Sequence, residues 1–322
     1  MGKRRYPKIF IRSKRELARH ISDKHFTPEK ALSLINDSLD NFNFYWKDSR
    51  SSKPEKQKFV RAAVGTPLGV LLDKISQKVL STHDNLVPFF IFGGIKGKSH
   101  VMAAKELIGS KRKRTLLKID IKGFYEKIDS ERVERFFWGK CGCSKKIARI
   151  FGRLCCVPIG AKNGGAEGKT IARGFSTSPR LAVWCNLDFF IKLEWLVKKR
   201  LKGKNPRIAI YVDDIGITAS NASKKEMALL YKEIEILSSL DNNQKLPLHP
   251  LGKKSKIMCH DKGLEILGVG LRRNKLDIGF KTKSKIDSIK SRMKKSVGSE
   301  DFNKLKQRKK GLYRYADYVR NF

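Results

Sequence analysis

The sequence predicts an α+β fold, and three observations carry that prediction. Apolar residues recur at helical spacing through 14–42, 68–80 and 224–240. Short runs rich in Ile and Val read as strands, several of them in hairpin order, at 115–122, 207–218 and 264–280. From Arg272 to Phe322 the chain carries 17 Lys and Arg against 5 Asp and Glu and reads as a basic helical tail.

Taken in order, Lys14–Ile21 is a short helix. Thr27-Pro28-Glu29 marks the start of a second: Thr as N-cap, Pro at the first helical position and Glu in the first turn. Ala31, Leu32, Ile35, Leu39 and Phe42 then face one side. Residues 48–58 are polar and turn-rich, a surface loop or hairpin tip, and Leu68–Leu80 is amphipathic. The Gly-rich basic loop at 93–99 lacks the glycine-to-Gly-Lys spacing of a P-loop. A basic run, Lys111–Arg114, leads into the strand Thr115–Lys122. A helix-rich stretch covers about 129–156, a flexible loop holds four glycines at 159–170, and Pro179–Leu201 is one long apolar helix. Leu264–Leu271 is a strand with Lys275–Phe280 as its hairpin partner.

The chain has 322 residues, 71 Lys plus Arg and 31 Asp plus Glu, a net charge of +40. That length predicts two or three subdomains, since single domains run to about 100–200 residues. With 40% apolar residues a real core is available, which excludes a disordered basic tail. No apolar run is long enough to span a bilayer, and the basic start Met1–Pro7 lacks a signal-peptide apolar stretch. Six cysteines do not make a disulfide scaffold, and a cytoplasmic location is expected. Cys141, Cys143, Cys155 and Cys156 fit no standard zinc spacing and are read as small buried hydrophobes. Charge of this size points to a polyanion, most simply nucleic acid.

The informative residues are acids inside apolar strands. Asp120 ends the run Leu116–Ile119, and Asp213-Asp214 lies between Ile208–Val212 and Ile215–Ile217. Asp-Asp is also a common turn pair, and an acid can simply end a strand. If the three are gathered in so cationic a chain, they suggest a bound cation, and oxygen-only ligation suits Mg²⁺.

The segment Asp120-Ile-Lys-Gly-Phe124-Tyr125 resembles motif A of reverse transcriptases. Gly174-Phe-Ser-Thr-Ser-Pro179 is similar to their motif B, and Tyr211-Val-Asp-Asp214 to the Tyr-x-Asp-Asp box of motif C. Gly252-Lys-Lys-Ser255 resembles motif D, and Leu267-Gly268 the motif E primer grip. Ahead of them, Lys58-Phe-Val-Arg61 resembles the basic fingers strand, and Phe92–Ser99 the segment before motif A in bacterial enzymes. The resemblance covers about residues 50–320, and its motifs stand in the family's order.

What this resemblance implies is a right-hand polymerase. Fingers and an N-terminal extension would occupy 1–110, a palm 111–271 with a fingers insertion at about 129–172, and a short basic helical thumb 272–322. Asp120, Asp213 and Asp214 would be the catalytic acids, and with the Ile121 carbonyl they would hold two Mg²⁺ ions, with Mn²⁺ as a substitute. Lys58, Arg61, Tyr125, Gly174 and Lys254 would meet the dNTP, with Tyr125 at the steric-gate position. Leu267 and Gly268 would grip the primer, and Arg173, Lys309 and Lys310 would contact nucleic acid. Arg173 stands where the family usually has Gln, which leaves template-independent polymerisation open. The compact length resembles bacterial retron and defence-associated reverse transcriptases. The retron Val-Thr-Gly and Asn-Ala-x-x-His signatures are missing, which favours an antiviral-defence member over a retron enzyme. The implied partners are dNTPs, a structured non-coding RNA, its DNA product and an accessory defence protein. A non-catalytic RNA-binding protein on a decayed polymerase fold is the rival reading, and three intact acids in apolar strands argue against it.

Overall fold

The computed structural model describes residues 6–109, 113–164, 167–240, 245–260, 263–295 and 300–322. The first part of the basic N-terminus and the first half of the run Lys111–Arg114 lie outside them. The α-helices among the described residues are α1 (Lys14–Ile21), α2 (Pro28–Asp40), α3 (Pro67–Lys74), α4 (His100–Glu106), α5 (Ser130–Arg135), α6 (Lys145–Cys155), α7 (Ser178–Cys185), α8 (Leu187–Arg200), α9 (Lys224–Ser239), α10 (Phe280–Lys295) and α11 (Glu300–Asn321). The described strands are β1 (Lys47–Asp48), β2 (Arg61–Ala62), β3 (Arg114–Asp120), β4 (Cys156–Pro158), β5 (Lys169–Ile171), β6 (Arg207–Tyr211), β7 (Asp214–Ser220), β8 (Lys256–Cys259), β9 (Leu264–Ile266), β10 (Val269–Arg272) and β11 (Lys275–Ile278). The fold is mixed helix and sheet with antiparallel sheets, and no described helix is long and apolar enough to cross a membrane.

The central sheet has four antiparallel strands in the order β6-β7-β3-β8. Its strands are apolar on both faces. In β3, Leu117 and Ile119 join the larger core while Leu116 joins the smaller one, and in β6 Ile208 and Ile210 separate in the same way from Ala209. The two-residue period of a strand sorts them, and burial on both faces explains the unbroken apolar runs. The larger core contains residues of α1–α3 and α5–α9, and the smaller one residues of α4, β9–β11, α10 and α11.

Capping chemistry fixes the helix starts. Thr27 accepts the backbone N–H of Lys30 at α2, and Ser223 and Glu226 form a reciprocal capping box at α9. Three sequence expectations are corrected. The apolar stretch 179–201 breaks at Asn186, whose buried amide donates to Ala182 O (2.8 Å) and accepts from Arg132 (2.5 Å). The 159–170 loop is bounded by a short antiparallel hairpin, β4–β5. The 264–271 strand folds back on itself: Leu267 and Gly268 both have positive φ (55° and 76°), the two-residue turn that hairpins favour.

The C-terminal helix is anchored rather than free. Ala316 and Val319 are buried in the smaller core, and the His100 ring shares a 2.9 Å hydrogen bond with the Tyr315 hydroxyl. Asp277 on β11 pairs with Lys283 (2.8 Å), Arg272 (3.0 Å) and Arg320 (3.1 Å), which ties α10 and α11 to the hairpin. These bonds outweigh burial and hold its carboxyl down at about 2.

Candidate active site

The register of the central sheet sets Asp120 of β3 directly opposite Asp214 of β7. Paired residues across an antiparallel ladder project to the same face. Asp213 lies in the two-residue turn between β6 and β7, and its carbonyl accepts the Ile121 N–H at 3.0 Å. The structure therefore brings all three acids and Ile121 to one end of the sheet.

Val212 takes the first position of that turn with φ 59°. A β-branched residue there is an outlier, with a cost on the order of 1–3 kcal/mol. Its surroundings impose it. The segment Phe90–Gly93 bonds along β6 through Ile210 N to Phe90 O (2.9 Å) and Phe92 N to Ile210 O (2.8 Å). A Cβ on Gly93 would stand 2.3 Å from the Val212 nitrogen, so only glycine lets this segment brace the turn. The 93–99 loop, read from sequence as a non-P-loop segment resembling the one before motif A, supports the hairpin through its first residue.

Basic side chains close around the acids. Lys118, two residues before Asp120 on the same strand face, pairs with Asp214 at 3.0 Å. His249 and Lys254 reach Asp120 Oδ1 at 3.2 and 3.4 Å and lie 2.9 Å from each other. Buried Ser255 accepts the Asp120 N–H at 3.2 Å. Burial raises the carboxyls of Asp213 and Asp214, with the neighbouring Asp214 and Asp120 charges adding at Asp213; Lys118 offsets part of the rise at Asp214. Burial, and then Lys254, push His249 down and favour its neutral form.

The other predicted site residues divide. Tyr125 is buried near Asp213, and burial pushes its hydroxyl up to about 12. Arg61 is not a free cation at a strand edge. Only 4% exposed, it pairs with Asp48, donates to the carbonyls of Pro158 (3.1 Å) and Gly160, and stacks on Trp46 at 5.1 Å. Lys58 is exposed on the same hairpin. Gly174 has φ 105°, and a Cβ there would sit 2.4 Å from Arg61 O, so the 173–174 segment packs directly on β2. Arg173 N–H groups reach Glu126 at 3.2–3.4 Å, and its guanidinium lies 4.9 Å over the Tyr125 ring. Arg61, Glu126 and Arg173 line a cavity of about 440 Å³. Leu267 and Gly268 form the β9–β10 turn, away from the strand interior expected for them. Lys310 is exposed on α11, where Lys309 lies 5.8 Å from the Tyr313 ring.

Cys141, Cys143, Cys155 and Cys156 are buried, and burial raises all four thiols, Cys143 to about 11 and Cys155 to about 12. Buried, protonated thiols act as packing groups. Sequence reasoning missed Lys118, His249 and Glu126, and quoted Ser255 only as the end of the motif D segment. Lys118 had a signal, since it shares a strand face with Asp120, and Glu126 directly follows Tyr125; the bonds of His249 and Ser255 to Asp120 are tertiary contacts.

Among the described residues no group of three or more His, Cys, Asp or Glu forms a ready-made cage for a metal ion. The donor chemistry nonetheless fits a hard cation. The Asp213 and Asp214 carboxyls, raised by burial, lie at one sheet end with Asp120, and such an oxygen donor set suits a divalent ion that completes its coordination with water. Compared with known families, residues 53–271, more than half of the chain, match the model described as reverse transcriptase (RNA-dependent DNA polymerase). No curated protein matches the chain.

Proposed function

The chain belongs to the reverse transcriptase (RNA-dependent DNA polymerase) family, and from that membership we propose that Asp120, Asp213 and Asp214 are its catalytic acids and that it copies an associated structured RNA into DNA. The observation that carries this reading is the Asp120–Asp214 register with Asp213 in the adjoining strained turn. The β6-β7-β3-β8 sheet serves as the palm, the β1–β2 hairpin and the 129–172 insertion as fingers, and α10–α11 as the thumb.

Asp120, Asp213 and the Ile121 carbonyl would hold Mg²⁺, with Asp214 beside them. Bound there as a pair, such ions would supply activation of the primer hydroxyl and charge neutralisation on the leaving pyrophosphate. The chain's own groups do the rest. Lys118 keeps Asp214 compensated at 3.0 Å. Lys254 and His249, beside Asp120, face the departing phosphates, and Lys254 can return a proton to them. Lys58, exposed on the fingers hairpin, meets the triphosphate. The Tyr125 ring excludes a ribose 2′-hydroxyl, so deoxynucleotides are the substrates.

The +40 charge supports a polyanion partner larger than one short duplex. The resemblance to defence-associated enzymes supports a role in antiviral defence, in which an accessory protein would be a partner. Primer extension on a defined RNA template tests the reading: the DNA product should be its complement. Product of equal length without template would replace templated synthesis with untemplated addition, the alternative that Arg173 opens.

A further inference from the structure

Arg173 does two things at once. Its Nε and one terminal nitrogen donate to the Glu126 carboxylate, at 3.2–3.4 Å, and its planar face lies 4.9 Å from the centroid of Tyr125. Its backbone is pinned as well: the Arg173 carbonyl accepts the Arg61 N–H at 2.7 Å, and Gly174 beside it has no room for a side chain. A guanidinium fixed at both ends makes a rigid plate, because its fork matches a carboxylate and its face matches a ring.

Glu126 decides where that plate lies. Arg173 is close enough to Asp213 to stabilise that carboxylate's charge. Without Glu126, the free guanidinium would be drawn toward Asp213 and off the Tyr125 ring. We propose that Glu126 is a specificity-positioning residue: it holds Arg173 against Tyr125 and so fixes the ring that selects the sugar. This rests on Tyr125 acting as the gate. It assigns Arg173, where the family usually has Gln, to ring support.

The test compares kcat/KM for a deoxynucleotide with that for its ribonucleotide, in wild type, Glu126→Gln, Glu126→Asp, Arg173→Lys and Tyr125→Ala. Glu126→Gln keeps shape, and its side chain is partly exposed, so the fold should stand. The ratio should fall roughly tenfold in Glu126→Gln and in Arg173→Lys, which keeps charge but loses the plate. In Glu126→Gln the loss should come from a lowered ribonucleotide KM, with deoxynucleotide kcat within about twofold of wild type. Glu126→Asp should recover part of the ratio. Adding Glu126→Gln to Tyr125→Ala should change nothing further, because both act through one ring. If Tyr125→Ala lowers the ratio and Glu126→Gln does not, the clamp is wrong and the gate stands. An unchanged ratio in Tyr125→Ala removes the gate and the clamp together.

Discussion

Asp120, Asp213 and Asp214 are placed by strand register and one tight turn, whereas the guanidinium groups of Arg61 and Arg173 are each held by a carboxylate, Arg61 by its cross-strand partner Asp48 on β1 and Arg173 by Glu126. At the sheet end the backbone does the positioning, and burial keeps the Asp213 and Asp214 carboxyls unfavourably raised. At the cavity the side chains position each other: Arg61 is buried against Trp46 and Arg173 against Tyr125. The first region holds charge ready for a ligand. The second uses charge to build the wall. Substitutions in the first should therefore cost activity with little loss of stability, and at buried Arg61 in the second the reverse.

Among substitutions that leave the three acids in place, Gly93→Ala should have the largest effect. Its new Cβ overlaps the Val212 nitrogen, so the Asp213 turn must shift, and extension rate should drop on the order of 100-fold. A near-normal rate would show that the turn needs no brace. Arg61→Met should act on folding instead. It strands Asp48 and two carbonyls and should cost about 2–3 kcal/mol in denaturant unfolding, below the ~3–5 kcal/mol of a fully buried pair because Asp48 is partly exposed. Unchanged stability with lost activity would return Arg61 to direct substrate contact and break the comparison. Ser255→Ala removes the acceptor for the Asp120 N–H and should cost about 1 kcal/mol, read as a modest fall in rate with Mg²⁺ affinity weakened in parallel.

The effect on activity should be smallest in the tail, where the change is one of stability. Asp277 titrates at about 2 when folded, below its ordinary 3.8, so its stabilising contribution is present above pH 3.8 and is lost as pH falls toward 2. The melting-temperature gap between wild type and Asp277→Asn should be widest above pH 4 and should close on acidification. A gap independent of pH would mean that packing, not charge, anchors α10 and α11.

The same contrast explains what the sequence revealed. An acid ending Leu116–Ile119, and two acids between Ile-rich runs, mark strands and their ends, so the three acids were legible. So were α1 and α2, whose caps are local. The break at Asn186 was hidden in an apolar run, because the Arg132 bond that stabilises it comes from elsewhere in the chain. β4 and β5 were hidden because three-residue strands carry too little periodicity. The Leu267 turn was hidden because leucine is not a turn residue, and positive φ there is imposed by β9–β10 pairing. Arg61 read as a triphosphate contact, and its packing was hidden because Trp46 and the Pro158 and Gly160 carbonyls meet it only in the folded chain.

The central claim is that the end of the β3–β7 ladder is where DNA is made. Asp213→Asn tests it with almost no change in shape. Purified wild-type chain with an RNA template, primer, dNTPs and Mg²⁺ should extend the primer, and Asp213→Asn should give none above background while melting no lower than wild type. Equal extension by the two proteins would contradict the account.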